Sequence, residues 1–162
     1  MISLNTRIFD LSCQGFFRAA GDFICPVKPG EVLGVTLDED AEKTNIVGGA
    51  SYDPAIIGQD MIEIRASSMP STIVTADTLM LVLSRDNYES MVLRAEDIQP
   101  HTHNAIIPCN FNRDIYLMGT SIKRVRRSNG HESYHQAGPT LMNPVLDGRK
   151  KWFSTASGLV RI

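Results

Sequence analysis

Residues 106–127 read Ile106-Ile-Pro-Cys-Asn-Phe-Asn-Arg-Asp-Ile-Tyr-Leu-Met-Gly-Thr-Ser-Ile-Lys-Arg-Val-Arg-Arg127. Two apolar runs flank a polar turn, Asn112-Arg113-Asp114, and the second run ends in basic residues. A short polar interruption between strand-forming runs predicts a β-hairpin. The continuous run Ile115 to Met118 is expected to be buried on both faces. The far end, Lys123 to Arg127, should emerge at a charged surface.

The neighbouring segments extend this pattern. Leu79-Met-Leu-Val-Leu83 is a short apolar run, bounded by the turn Ser84-Arg-Asp-Asn87, and predicts a strand buried on both faces. Met61-Ile-Glu-Ile-Arg65 alternates, with Met61, Glu63 and Arg65 on one face and Ile62 and Ile64 on the other. That predicts a half-buried strand, followed by a turn through Ser67-Ser-Met-Pro-Ser71. Residues 89–98 fit either a short helix or a strand over Ser90–Ala95, because Met91, Val92, Ala95 and Ile98 match helical spacing only in part. Pro100 closes the segment in both cases. Trp152-Phe153 and Leu159-Val-Arg-Ile162 predict a terminal strand pair around Ala156-Ser-Gly158.

Toward the N-terminus, residues 1–9 read as a first strand or an arm. Gly15 and Gly21 disfavour a long helix between them, and Phe16-Phe17 and Phe23-Ile24 anchor strands. Lys28-Pro29-Gly30-Glu31 is a turn, since Pro presets φ at one central position and Gly supplies positive φ at the next. It leads into the strand Val32–Leu37. The acidic cluster Asp38–Glu42 and the Gly-rich residues 43–60 read as a long loop. Residues 128–150, rich in Gly and Pro, read as an extended excursion over the surface.

About nine strand candidates with frequent Gly/Pro turns define the fold class. It is all-β and mainly antiparallel: a β-sandwich, jelly roll or barrel with long loops and at most one or two short helices. The 162 residues fit a single β domain, 1–162, large enough to fold without disulfides or metal. The three cysteines, Cys13, Cys25 and Cys109, form no close pair, and free buried thiols are expected. No apolar signal core opens the chain, and no run is long enough to span a membrane as a helix. A cytoplasmic site of folding follows. Net charge is −2, so a polyanion site would have to be a local patch.

The candidate chemistry lies in two groups. His101 and His103 would share a face on a strand, and His131 and His135 sit in the order His-Glu-Ser-Tyr-His. That order matches the zinc-protease pattern His-Glu-x-x-His, but the flanking Arg-Ser-Asn-Gly and Gln-Ala-Gly-Pro make no apolar helix. Loop histidines without metal or cofactor are the plainer reading. The basic group is Lys123, Arg124, Arg126 and Arg127. On a strand, Arg124 and Arg126 share one face and Lys123 and Arg127 the other. They suit a charge-guarded strand end, a subunit contact or a polyanion contact such as nucleic acid. No nucleophile frame is present, so no catalytic residue is expected.

Asp10-Leu-Ser-Cys-Gln-Gly-Phe-Phe17, Gly21-Asp-Phe-Ile-Cys-Pro-Val27 and Pro29-Gly-Glu31 carry one resemblance. This opening resembles that of microvirus-type phage capsid proteins. The resemblance covers residues 10–37 and implies a β-rich virion protein.

Combined with the absence of a catalytic frame, this leads to one expectation. It is a non-enzymatic structural subunit of a phage virion, as a capsid, capsid-cementing (decoration), or tail/neck component. Its partners would be copies of itself and other subunits, its location the virion, and no membrane would be involved. The arm 1–9, the loop 38–60 and the excursion 128–150 would make the contacts. The alternative is a small β-barrel that binds a ligand or metal, with a hydrolase built on His101, His103, His131 and His135 as one form.

Overall fold

The structure, a computed structural model, describes residues 1–3, 6–10, 15–18, 32–35, 41–44, 46–52, 60–111, 114–128, 141–146 and 152–161. The strands of the first third are β1 (Ile2–Ser3), β2 (Arg7–Asp10), β3 (Gly15–Arg18), β4 (Val32–Val35), β5 (Ala41–Thr44) and β6 (Ile46–Tyr52). The centre holds β7 (Met61–Ala66), β8 (Thr72–Thr75), β9 (Leu79–Ser84) and β10 (Ser90–Arg94). Then come β11 (His103–Phe111), β12 (Asp114–Ser128), β13 (Leu141–Leu146), β14 (Trp152–Thr155) and β15 (Gly158–Arg161). They form one antiparallel sheet in the order β3-β2-β4-β14-β15-β9-β11-β12-β7-β8-β1-β13-β6, with β10 added to β9 and β5 to β4. Among the described residues the only helical turn is the 3-10 turn Ala95–Asp97. The all-β, antiparallel class is therefore as the sequence predicts.

The hairpin of residues 106–127 is present. Phe111 pairs with Asp114 and Ile106 with Gly119, so a two-residue connection joins β11 to β12. Its burial differs from expectation. Tyr116 and Met118 are each 50% exposed, so this part of β12 is covered on one face only. The strand is long enough to serve two partners. Residues 114–121 pair with β11, and Ile122 to Ser128 pair with β7 across a register shift at Lys123.

The central cluster joins Ile2, Ile62, Ile64, Val74, Met80, Val82, Ala105, Ile122 and Val160. Fully burying each large aliphatic side chain is worth roughly 1.5–3 kcal/mol. Trp152, Leu81, Ile106 and Leu159 form a second cluster, and Met61, Ile73 and Leu141 a third. The third cluster corrects the half-buried reading of β7. Met61 is fully buried and Glu63 only 6% exposed, so β7 is covered on both faces except at Arg65.

Other segments settle or correct the expectation. Ile2 is buried and pairs with both β8 and β13, so the first residues are an interior strand. Within the expected loop 43–60 lies β6, and within the expected excursion 128–150 lies β13; the two pair with each other over Tyr52↔Leu141 to Ile46↔Leu146. Each satisfies the other's backbone groups, which local periodicity could not announce. The ambiguous stretch 89–98 is β10 followed by the 3-10 turn, because β9 offers a free edge along Leu79–Leu83. The Pro29-Gly30 turn lies outside the described residues.

Buried hydroxyls tie the terminal hairpin β14–β15 to β8. Thr155 donates to the Gly158 carbonyl (2.8 Å), so the Thr72 hydroxyl, 2.6 Å away, gives its proton to Thr155. Ser157 Oγ accepts from the Ala66 amide (3.0 Å) and donates to the Pro70 carbonyl (2.6 Å). The Ser157 amide in turn donates to Thr72 Oγ1 (3.1 Å). This seam holds one end of β8, while the other end meets the first residue of the chain.

Candidate functional site around the first residue

β8 ends at Thr75, and the turn Thr75-Ala-Asp-Thr78 leads into β9. The Thr78 amide closes this turn on the Thr75 carbonyl at 3.0 Å. Neighbouring backbone fixes its position: the Ala76 amide donates to the Asp60 carbonyl (3.0 Å), the Glu96 amide to the Ala76 carbonyl (3.1 Å) and the Ala95 amide to the Thr78 carbonyl (2.8 Å). Both threonine side chains are buried.

The turn grips the backbone of residue 1 at both of its polar groups. The Met1 nitrogen donates to Thr78 Oγ1 (2.9 Å) and Thr75 Oγ1 (3.3 Å). The Met1 carbonyl accepts from the Thr75 amide (2.9 Å) and from Thr78 Oγ1 (3.2 Å). Proton accounting orders the rest. Thr75 gives its one hydroxyl proton to Asp77 Oδ1 at 2.7 Å, so its oxygen is free to accept. Thr78 lies 2.7 Å from Thr75 Oγ1 and shares its own proton between that oxygen and the Met1 carbonyl. Burial lowers the Met1 ammonium below its ordinary value, with the Asp77 charge opposing in part.

Beside the turn is a cavity of about 260 Å³ lined by Asp60, Ala76, Asp77, Arg94, Glu96 and Arg127. Arg127 bridges the two sides. Its guanidinium meets Asp60 (Nε to Oδ2, 2.9 Å) and reaches Glu96 at 3.6 Å, and the Asp60 contact raises its already high value further. Arg94 pairs with Glu96 at 2.8 Å.

The basic group anticipated from sequence is thus divided. Arg127 faces this cavity. Arg124 and Arg126 lie on the opposite face of β12, with Arg124 paired to Glu63 and Lys123 at the register shift. The two histidines among the described residues do not come together. His101 is exposed in a turn, whereas His103 is buried at the start of β11, where its Nδ1 accepts the Gln99 amide at 3.0 Å. Burial lowers the His103 value. His131 and His135 lie outside the described residues. Among the described residues no group of three His, Cys, Asp or Glu is placed to hold a metal, and no helix is long and apolar enough to cross a membrane. Sequence reasoning missed Thr75 and Thr78 altogether; their only local signal is a Thr-x-x-Thr spacing.

The architecture as a whole is similar to that of solved inteins. The chain matches the DnaB intein of Synechocystis sp. PCC 6803 with a TM-score of 0.65 at 11% identity, over 99% of this chain and 96% of that one. A bacterial intein-like domain from Clostridium thermocellum matches at 0.62 and 10% identity, covering 99% of this chain and 97% of that one. A splice-inactive variant of the AceL class 3 split intein matches at 0.61 and 14% identity, covering 99% and 94%. No protein-family model matches the sequence, and no curated protein does. At these identities the likeness is one of fold.

This overturns the expectation of a virion subunit. The structural relatives are inteins, not capsid, decoration or tail proteins. The physical ground for that expectation also fails, because β1, β6 and β13 order one another within the chain. The ligand- or metal-binding barrel and its histidine hydrolase gain no support from the relatives, and His101 and His103 point to different environments.

Proposed function

We propose that this chain is an intein-like domain whose working centre is the backbone of residue 1, and that it holds this residue without cleaving a bond made to its nitrogen. The observation that carries the reading is the grip on both Met1 backbone groups by Thr75 and Thr78. The domain brings its first residue into the core and fixes it by hydrogen bonds, the positioning that acyl transfer at that residue would need.

The side chains explain why holding is separate from cleavage. Acyl transfer needs a thiol or hydroxyl that can attack the carbonyl preceding the Met1 nitrogen, and a base to take its proton. The Met1 thioether carries no such proton. The Thr78 hydroxyl is engaged with Thr75 and the Met1 carbonyl, and Asp77 accepts from Thr75 rather than from Thr78. Among the described residues no histidine is a hydrogen-bond partner of Met1, Thr75 or Thr78.

The test places the chain between two reporter domains and follows the intact mass over days. The expected product is the unaltered fusion. Met1→Cys supplies a thiol at the held position and should give cleavage before residue 1 when a free thiol is added. Excision of the unaltered chain, with joining of the two reporters, would overturn the reading.

A further inference from the structure

We propose that the cavity beside the turn Thr75-Ala-Asp-Thr78 receives the side chain of a residue joined to the Met1 nitrogen, and that it favours a lysine or arginine there through Asp77. The preference rests on the reading of residue 1 as a held junction and adds the chemistry of the neighbouring residue. The cavity, of about 260 Å³, is lined by Asp60, Ala76, Asp77, Arg94, Glu96 and Arg127. Ala76 and Asp77 belong to the turn that holds Met1, so the cavity adjoins the held nitrogen. Asp77 Oδ1 is two hydrogen bonds away from that nitrogen, through Thr75 Oγ1, at 2.7 Å and 3.3 Å. The long stem of a preceding lysine or arginine can cross that gap and bring its charge into the cavity.

The preference comes from charge. Arg94 is paired with Glu96, and Arg127 with Asp60 and, at 3.6 Å, with Glu96. Asp77 is the lining carboxylate without an arginine partner among the described residues. Its hydrogen bond comes from the neutral Thr75 hydroxyl, and the cation that acts on it is the Met1 ammonium. An amide at the same nitrogen carries no charge, so joining a residue to Met1 removes that cation. The lining then holds three carboxylates against two guanidiniums, with Asp77 uncompensated. A cationic side chain on the joined residue restores the lost charge at the same place, whereas a carboxylate there adds repulsion. Five of the six lining residues are charged, so an apolar side chain gains little by entering.

The exposure of Asp77 sets the scale. Ion pairs in contact with water contribute little, so lysine or arginine in place of glutamine should raise the folding constant roughly two- to fivefold. Salt should shrink the gain, because exposed charges are screened over about 10 Å at roughly 0.1 M.

The experiment places arginine, lysine, glutamine or glutamate directly before Met1 of the full chain. Each follows the same glycine-serine leader, so that no free ammonium lies beside Asp77. Urea midpoints are measured at low and high salt. The expected order is arginine and lysine above glutamine, and glutamine above glutamate, with a smaller spread at high salt. Asp77→Asn, which can still accept from Thr75, should close the gap between arginine and glutamine. Hydrogen exchange at the residue 1 amide of the glutamine chain reads the holding separately. An unprotected amide would overturn the holding of residue 1 and the cavity's preference with it. A protected amide with equal midpoints for all four residues would overturn the preference alone. So would an arginine advantage that survives Asp77→Asn. Glutamate ranked above arginine would overturn it too, and would assign the cavity to Arg94 and Arg127.

Discussion

Thr75 and Arg65 lie toward opposite ends of one hairpin, β7–β8, and the chain solves the problem of a polar side chain in opposite ways at the two ends. At Thr75 two buried hydroxyls, those of Thr75 and Thr78, do the holding. Every hydroxyl proton has an acceptor, and the guest they enclose is the chain's own first residue. At Arg65 the groups are charged and exposed, and a second arginine faces the first across the sheet. The buried end is over-determined, and its hydrogen bonds position a backbone. The exposed end is charged, and Arg124 there is paired with the almost buried Glu63.

Substitutions should expose this difference. Thr75→Val keeps the shape but removes one acceptor of the Met1 nitrogen and one partner of the buried Thr78 hydroxyl. A loss of about 1–3 kcal/mol is expected, read as a lowered urea midpoint at unchanged slope.

Two pH effects come next. The unfolded chain's α-amino group titrates near 8.0, and burial lowers that value in the native state. The unfolded state thus binds more protons below that pH. Stability should rise with pH through the lowered native value and level off near pH 8.0. Acetylating the amine should abolish this rise in a series of urea midpoints. His103 acts in the same direction at lower pH. Its native value is depressed by burial, so its contribution is complete above the ordinary 6.5 and is lost as pH falls below it. His103→Gln should remove that part of the acid destabilisation.

The smallest effect belongs to the exposed end. Arg65→Ala should change stability by no more than about 0.5 kcal/mol, toward greater stability at low salt as the repulsion with Arg124 is relieved. A large loss there would erase the contrast between the two ends.

The parts of the fold legible in the sequence are those in which partners are close along the chain. The β11–β12 and β14–β15 hairpins join runs separated by two residues, so apolar patterning and turn residues suffice. The pairing of β6 with β13 joins segments about 90 residues apart, and each carries Gly or Pro where a strand would show alternation. β8 has four residues, two of them threonine, and offers too short a pattern to read. The burial of Glu63 was hidden for a different reason: alternation in β7 gives the two faces but not the third cluster, which covers the polar one.

The site was less legible than the fold. Thr75 and Thr78 are ordinary residues that acquire a role only because β1, more than 70 residues earlier, lies beside β8. The basic run was visible, but not its division. Alternation placed Arg124 and Arg126 together and Arg127 apart, whereas the capture of Arg127 by Asp60 and Glu96 depends on tertiary contacts. Arg65 joins the exposed cluster through the strand register, which a sequence window does not contain.

The central claim is that residue 1 is held at the Thr75–Thr78 turn and left intact. The most direct measurement is the intact mass of the chain flanked by two reporters, for the unaltered sequence and for Met1→Cys with added thiol. The account predicts an unchanged mass for the first and release of the leading reporter for the second. Self-excision of the unaltered chain, or a Met1→Cys chain inert to thiol despite a native fold, would contradict it.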